Sequence, residues 1–244
     1  AVAAFNHSAS FGSYDLSLSV GCGTRASLST SFRNTVKSAQ ENMHYHKLLE
    51  SRSPHSSTLS SVMATMLARS RETEAHGERL ASLSKAMGQQ MGLEQKAMDE
   101  LALYALLHDI GKVGVDDSIL NKPGRLEEEE WEQMKKHSEI GYRIAASAME
   151  LSHVADFILS HHERWDGKGY PRGLAGDQIP LLSRLLAIVD AYDAMTEDRV
   201  YRRAMTSEEA LREIERNAGT QFDPQLAARF IRMVRESKDY ELMA

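Results

Sequence analysis

The sequence predicts a mainly α-helical protein with a metal site inside its core, preceded by a short strand and helix. Helical amphipathic periodicity runs through most of the chain after residue 57, and one segment near the start alternates apolar and polar residues as strands do. Eight side chains of metal-binding types lie on segments whose other residues face a core. Buried imidazoles and carboxylates need partners, and metal ions satisfy many of them at once. The eight side chains are Glu72, His76, His108, Asp109, His137, His161, His162 and Asp190.

The first fifty residues predict a strand at 14–21, followed by a helix from about residue 29 or 31 to residue 49. The next segment, 51–57, combines Pro54 with small polar residues, which is typical of a boundary. We therefore divide the chain into an N-terminal segment at 1–50, a linker at 51–56 and a main domain at 57–244.

Beyond the linker the periodicity predicts eight amphipathic helices. Their bounds are about 58–70, 72–91, 95–107, 127–149, 152–160, 181–196, 207–217 and 224–237. The last helix has a recognisable start, because Asp223 can cap it and Pro224 suits its first position.

Composition excludes several classes of function. A chain of 244 residues with 42% hydrophobic content can bury a large core, but no apolar run approaches the roughly 20 residues of a membrane-spanning helix. The start lacks the features of a secretory signal, and the single Cys22 cannot form an internal disulfide, so we expect a cytoplasmic protein with no membrane segment. The net charge of -6 argues against a nucleic-acid polymer as partner.

Every candidate ligand has an ordinary explanation when it is taken alone. Glu72 and His76 are four residues apart and share a helix face, but such a pair is usually solvated. His137 falls on a stripe with Trp131 and Met134 that we expect to face inward, where a single histidine is usually a hydrogen-bonded core residue. Coincidences of this kind on five separate buried faces favour a shared metal site instead.

The other ligands follow apolar runs. His108 and Asp109 end the run at 101–107, and we expect Gly111 to unwind the backbone there so that the two side chains converge. The same placement at the end of an apolar stretch is shared by His161, His162 and Asp190. A mixed set of nitrogen and oxygen donors without cysteine favours iron or manganese over a structural zinc site.

Two polar segments lie beside the last ligands. A glycine-rich loop occupies 163–171, and loops of this kind often carry binding groups held by rigid elements. A basic cluster at 198–203 is either a solvated turn or a phosphate-binding group, since guanidinium groups suit bidentate contacts with phosphate.

Three motifs resemble those of the HD-GYP phosphodiesterases, a bacterial branch of the HD-domain metal hydrolases. They are HDIGK at 108–112, HHE at 161–163 with DGKGYP at 166–171, and DAYDAMT at 190–196. The resemblance extends from about Ser57 to the C-terminus and is specific, since several long motifs occur in the right order. It implies an HD-domain helical bundle that hydrolyses cyclic di-GMP to pGpG, to GMP or to both.

The resemblance also implies roles for individual residues. Two or three metal ions, often iron and alternatively manganese, would be held by the eight side chains named above, and Glu72 matches the position found where there is a third ion. Tyr170, Arg199 and Arg202 match substrate-binding positions, and Lys112 matches an active-site lysine that also contacts substrate.

We expect metal-assisted hydrolysis. Two neighbouring ions bridged by Asp109 would share a water, lower its pKa toward roughly 7 and direct the resulting hydroxide at phosphorus. Lys112 would support the transition state or the leaving oxygen. The alternatives are a catalytically silent sensor of a cyclic dinucleotide and a hydrolase of another cyclic dinucleotide, such as cyclic GMP-AMP.

Residues 16–21 and 39–47 resemble the closing strand and helix of a GGDEF domain, although the GGDEF signature itself does not occur in the sequence. This second resemblance implies a non-catalytic remnant, and we expect the chain to begin inside that domain. The expected partners are therefore cyclic di-GMP and either a second copy in a homodimer or an upstream sensory or GGDEF domain.

Overall fold

The computed structural model describes residues 74–148, 151–198 and 203–236, together with Phe32 and Val36. Within the three ranges the α-helices are α1 (Glu74–Gln90), α2 (Gln95–Leu107), α3 (Asp117–Leu120), α4 (Glu128–Lys135), α5 (His137–Ser147), α6 (Ala155–Leu159), α7 (Leu181–Thr196), α8 (Ser207–Arg216) and α9 (Pro224–Glu236). Short 3₁₀ turns occupy Ile110–Gly114, Ser152–Val154 and Gly176–Gln178. The strand predicted at 14–21 and the helix predicted at 58–70 lie outside the described residues, and of the helix predicted at about 29–49 the structure describes Phe32 and Val36, both helical.

Helix α7 forms the centre of the described bundle and packs against α1, α2, α6, α8 and α9. Its Leu185, Leu186, Ile188 and Val189 are all buried, as expected for a helix that is apolar on most sides. Asp190 directly follows this run and is half-buried, so its carboxylate lies beside the core while part of it stays accessible.

The prediction of a mainly helical fold is confirmed for the described ranges, where the β-type pairing consists of two isolated bridges. The helices predicted at 95–107 and 181–196 have the predicted bounds. The cap predicted for α9 is also present, because Asp223 Oδ1 accepts hydrogen bonds from the amides of Gln225 at 2.8 Å and Leu226 at 3.2 Å. None of the described helices combines the length and the apolar character needed to cross a membrane.

The single helix predicted at 127–149 is wrong, because the structure divides it into α4 and α5 at Lys136. Two side chains take the carbonyl groups of the last turn of α4: the His137 ring donates to Met134 O at 2.7 Å, and Ser138 Oγ donates to Lys135 O at 3.0 Å. Side chains that satisfy the free carbonyls of a helix end allow the helix to stop there. The break also turns Trp131 away from the predicted inward stripe, and this side chain is 45% exposed.

Two further segments differ from the prediction. The segment predicted as one helix at 152–160 is a 3₁₀ turn followed by the short helix α6. No element was predicted between 107 and 127, where the structure has the turn Ile110–Gly114 and helix α3. Helix α3 starts with the Asp116 side chain, which accepts from the Ser118 amide at 2.8 Å. Short elements of this kind depend on local caps more than on periodicity.

Candidate metal centre

Seven of the eight predicted ligands lie in the described ranges, and the structure brings them into two groups. The first, which we call the Asp109 group, contains Asp109, His137, His161 and His162. The second, the His76 group, contains His76, His108 and Asp190. In each group one ligand atom per residue lies within 4.8 Å of the others. Glu72 lies outside the described residues.

The Asp109 carboxylate lies between the two groups. Its Oδ1 atom is 3.3 Å from His137 Nε2 and 3.7 Å from His161 Nε2, both in the Asp109 group. Its Oδ2 atom is 3.0 Å from His108 Nε2, in the His76 group. Oδ1 is buried and accepts no hydrogen bond within the part of the chain that the structure describes. The carboxylate therefore presents one oxygen to each group, as a bridging ligand does.

Three of the histidines are oriented in the same way, at the C-terminal ends of three helices. The rings of His108, His137 and His161 each donate Nδ1–H to the carbonyl oxygen three residues earlier, at the ends of α2, α4 and α6. A carbonyl oxygen can only accept, so the proton of each neutral ring must be on Nδ1. The Nε2 lone pairs are thus left to face the site.

These lone pairs converge. His137 Nε2 is 3.0 Å from His161 Nε2 and 3.1 Å from His162 Nε2. Acceptor atoms at such distances repel one another unless a positive charge lies between them. The C-terminal ends of α2, α4 and α6 add negative partial charge at the same place, which also favours a cation.

A proton could supply that charge, but burial opposes it. Burial lowers the pKa of His161, and it lowers the pKa of His162 well below its usual value. Burial alone would raise the pKa of Asp109, yet Lys112 and His108 hold it well below the usual range. Neutral imidazoles and an ionised carboxylate are the forms that bind metals, so the donor set fits a divalent cation.

His76 is oriented by a side chain instead of a carbonyl group. Its Nδ1–H donates to Asp193 Oδ2 at 2.7 Å, and this leaves Nε2 facing Asp190, with 3.7 Å between Nε2 and Asp190 Oδ1. Arg79 in turn holds Asp193, donating from Nε to Oδ1 at 2.6 Å and from Nη2 to Oδ2 at 3.1 Å. Hydrogen bonds of this type fix the tautomer and orientation of a metal-binding histidine.

The role expected for Gly111 is wrong in its physical reason. Its backbone does not have the positive φ of an unwound helix end, and the residue lies in the 3₁₀ turn Ile110–Gly114. A Cβ atom at this position would be 1.8 Å from the carbonyl oxygen of His137 and 2.5 Å from the amide nitrogen of Gly141. The glycine is needed because the turn that follows Asp109 packs directly on the backbone of α5.

The glycine-rich loop folds back on the segment that carries His161 and His162. Glu163 is buried, and its carboxylate accepts from the amides of Arg172 at 2.7 Å and Leu174 at 2.9 Å. These bonds hold the Tyr170 ring against the His162 ring, with 4.8 Å between the ring centres and 31° between the planes. Tyr170, a predicted substrate-binding residue, is therefore in contact with the Asp109 group.

Lys112 also lies at the site, since its Nζ donates to Asp109 Oδ2 at 2.8 Å. Arg199 and Arg202 lie outside the described residues. Sequence reasoning gave no role to Asp193 or Arg79. The signal for Asp193 was its spacing of three residues from Asp190, which places both carboxylates on one face of α7.

The chain resembles known proteins of one family. A family profile described as "HD domain" matches residues 45–226. A protein of Thermotoga maritima named cyclic di-GMP phosphodiesterase is 42% identical over 173 residues, which cover 70% of this chain and 47% of that protein. A protein of Vibrio cholerae named 3'3'-cGAMP-specific phosphodiesterase 2 is 42% identical over 161 residues, covering 65% of this chain and 31% of that protein. The chain thus spans less than half the length of these relatives.

Two solved structures share the fold. A cyclic GMP-AMP-specific phosphodiesterase of V. cholerae, V-cGAP3, has a TM-score of 0.57 at 22% identity, with 72% of this chain and 48% of that chain covered. Bd1817, described as an HDG"Y"P protein from Bdellovibrio bacteriovorus, has a TM-score of 0.57 at 18% identity, with 86% of this chain and 75% of that chain covered. At these identities the likeness extends to the helical fold alone.

Proposed function

Because the chain belongs to the HD domain family, we propose that it is an HD-GYP phosphodiesterase that hydrolyses cyclic di-GMP to pGpG, to GMP or to both. The observation that carries this proposal is the pair of ligand groups joined by Asp109, with Lys112 and Tyr170 beside it. Two ligand groups joined by a carboxylate suit phosphodiester hydrolysis by adjacent divalent ions, which needs no protein nucleophile.

The Asp109 group would hold one ion and the His76 group a second, with Asp109 as the bridge. Glu72 would add the ligand for a third. When bound, divalent ions lower the pKa of water and offset the negative charge that develops on phosphate. Nitrogen and oxygen donors without sulfur support iron first and manganese second.

The chain's own residues would position the substrate and move a proton. Lys112 Nζ, which donates to Asp109 Oδ2, is a cation on a flexible stem and can hold a proton near the leaving oxygen. The Tyr170 ring would position the dinucleotide beside His162. Arg199 and Arg202 would bind the phosphate that is not being cleaved.

Cyclic GMP-AMP is the second candidate substrate, because the relatives named for each dinucleotide are equally similar to this chain, at 42% identity. A catalytically silent sensor of either dinucleotide is the alternative from another class. The completeness of both ligand groups supports an enzyme, since a sensor does not require a metal centre.

The test is to purify the protein without oxygen, measure metal per chain, and follow both dinucleotides by chromatography. We expect at least two ions per chain and turnover of at least one dinucleotide. Asp109→Ala should abolish both metal binding and turnover, whereas Asp99→Ala, at an exposed position on α2, should change neither. Metal bound without turnover of either dinucleotide would favour the sensor, and hydrolysis by Asp109→Ala would reject the ligand assignment.

We also propose that residues 1–50 are the remnant of a GGDEF-like domain, joined by the linker 51–56 to a catalytic domain at 57–244. The protein would act in the cytoplasm, as a homodimer or under an upstream sensory or GGDEF domain. The relatives contain segments beyond the region that matches this chain, and this supports a further domain beside the catalytic one.

A further inference from the structure

Helix α4 is unusual in the described bundle because it has no buried residue, yet it carries a large aromatic side chain. Trp131 is 45% exposed. Helix α4 is attached through its ends: Lys122 pairs with Glu130 at 2.6 Å near its start, and the His137 ring bonds to Met134 O at its end. Core packing therefore does not account for an indole at this position.

The indole is connected to the metal centre by two ring contacts. The Trp131 and Tyr170 rings have centres 6.2 Å apart and planes at 82°. Tyr170 in turn packs on His162, a member of the Asp109 group. We call His162, Tyr170 and Trp131 the aromatic series; it leads from the candidate metal ligands to the protein surface.

Among the ring contacts of the described residues, the edge-to-face geometry leaves one face of the indole uncovered by Tyr170. Two rings at 82° meet edge to face, so at most one face of Trp131 is contacted by Tyr170. The Tyr170 ring, by contrast, is contacted by His162 and has Lys135 Nζ 5.8 Å from its centre. Lys135 is itself paired with Glu132, and the other acidic residues of α4 disfavour a second phosphate, so a flat uncharged group fits this surface better.

The geometry points to Trp131 as a stacking platform for one purine base of the cyclic dinucleotide whose phosphate is bound at the metal centre. This inference rests on the proposed function and adds a binding residue to it. A base is joined to its phosphate through one ribose, and Trp131 is one ring beyond Tyr170 in the aromatic series. Stacking of a base on an aromatic side chain is strong and tolerates both guanine and adenine.

Two variants separate stacking from simple packing. Trp131→Leu keeps an apolar side chain without a flat ring, and Trp131→Phe keeps a ring. We expect Trp131→Leu to raise KM for cyclic di-GMP about 5- to 150-fold, the range for loss of one stacked base, with little change in kcat. Trp131→Phe should recover most of the loss. Tyr142→Ala, which removes an exposed aromatic residue of α5 outside the series, is the matched control. Metal per chain should be equal in all four proteins.

Fluorescence gives a direct readout that does not require turnover. The chain has two tryptophans, and the second, Trp165, packs under the Arg184 guanidinium. A slowly hydrolysed phosphorothioate analogue of cyclic di-GMP should quench the emission of the unaltered protein, and the quench should disappear in Trp131→Phe.

The outcomes distinguish this inference from the proposed function. Normal turnover with unchanged KM in Trp131→Leu overturns the platform and leaves the proposed function intact. Absence of turnover in the unaltered protein overturns the proposed function, and the quench by the analogue then decides the platform. If the analogue causes no quench that depends on Trp131, the platform is rejected.

Discussion

Asp193→Asn should weaken metal binding in the His76 group while leaving the Asp109 group loaded. Asp193 has both oxygens occupied as acceptors, from His76 Nδ1 and from two nitrogens of Arg79. Burial raises the pKa of Asp193, but the hydrogen bonds from His76 and Arg79 outweigh it, so the residue is ionised at neutral pH. Asparagine keeps the shape but replaces one acceptor with an NH₂ donor, which must face either His76 or Arg79.

The size of the expected loss in metal affinity follows from the tautomer of His76. If the new NH₂ group faces His76, Nδ1 must accept and the proton moves to Nε2, the atom that faces Asp190. Loss of a hydrogen-bond partner behind a metal-binding histidine typically costs about 10- to 100-fold in metal affinity. That corresponds to about 1.4 to 2.8 kcal/mol for one of the ions.

The assay is metal analysis after equilibration with a chelator of graded concentration. We expect one ion to leave Asp193→Asn at a lower chelator concentration than in the unaltered protein, and another to leave both proteins together. Glu197→Gln is the matched control, because Glu197 also pairs with Arg79, at 3.4 Å, without contacting His76 in the described hydrogen bonds. Identical release curves for all three proteins would show that Asp193 does not support metal binding by His76.

Three further predictions concern the backbone, the loop and a helix cap. Gly111→Ala should lower the free energy of unfolding by about 3 kcal/mol or more, measured by denaturant melting, because the new Cβ would meet backbone atoms. Gly77→Ala is the control, since a Cβ there would lie 3.4 Å from its nearest side-chain atom, and it should change the free energy of unfolding by less than about 1 kcal/mol. The hydrogen bond from Arg164 holds the pKa of Asp166 at about 2. The stability that this pair contributes is therefore complete above about pH 4 and is lost as the pH falls toward 2. A carboxyl NMR titration should return this pKa, and Arg164→Gln should raise it toward about 3.9. Thr206→Ala removes the cap of α8 and should cost about 1 kcal/mol of stability, with metal content and turnover unchanged; loss of metal would show that α8 supports the site.

Helices α2 and α7 were predicted with the observed bounds because their periodicity is strong and their ends carry local signals. Helix α7 is apolar for most of its length and is bounded by Pro180 before it, so its limits were read correctly. The predicted ligands at 76, 108–109, 137, 161–162 and 190 are brought together by the fold. Their convergence was inferred from burial, since buried polar groups must find partners.

The break at Lys136 could not be read from periodicity, because it depends on where side-chain donors point. His137 and Ser138 take carbonyl groups of the preceding turn, and helical spacing carries no information about that choice. The orienting role of Asp193 depends on contact between α7 and α1, where His76 lies 117 residues earlier in the sequence. Gly111 was recognised as a special position, but its reason is the approach of α5, which only tertiary packing reveals.

The hydrogen bonds that orient His108, His137 and His161 link the retention of bound ions to the opening of helix ends. Each ring is held by a carbonyl in the last turn of a helix, and helix ends open more often than helix interiors. When such an end opens, the ring loses its orientation and the ion loses a ligand. The residence time of bound ions should therefore follow the opening rates of the ends of α2, α4 and α6, and slow hydrogen exchange of the neighbouring amides would accompany slow metal exchange.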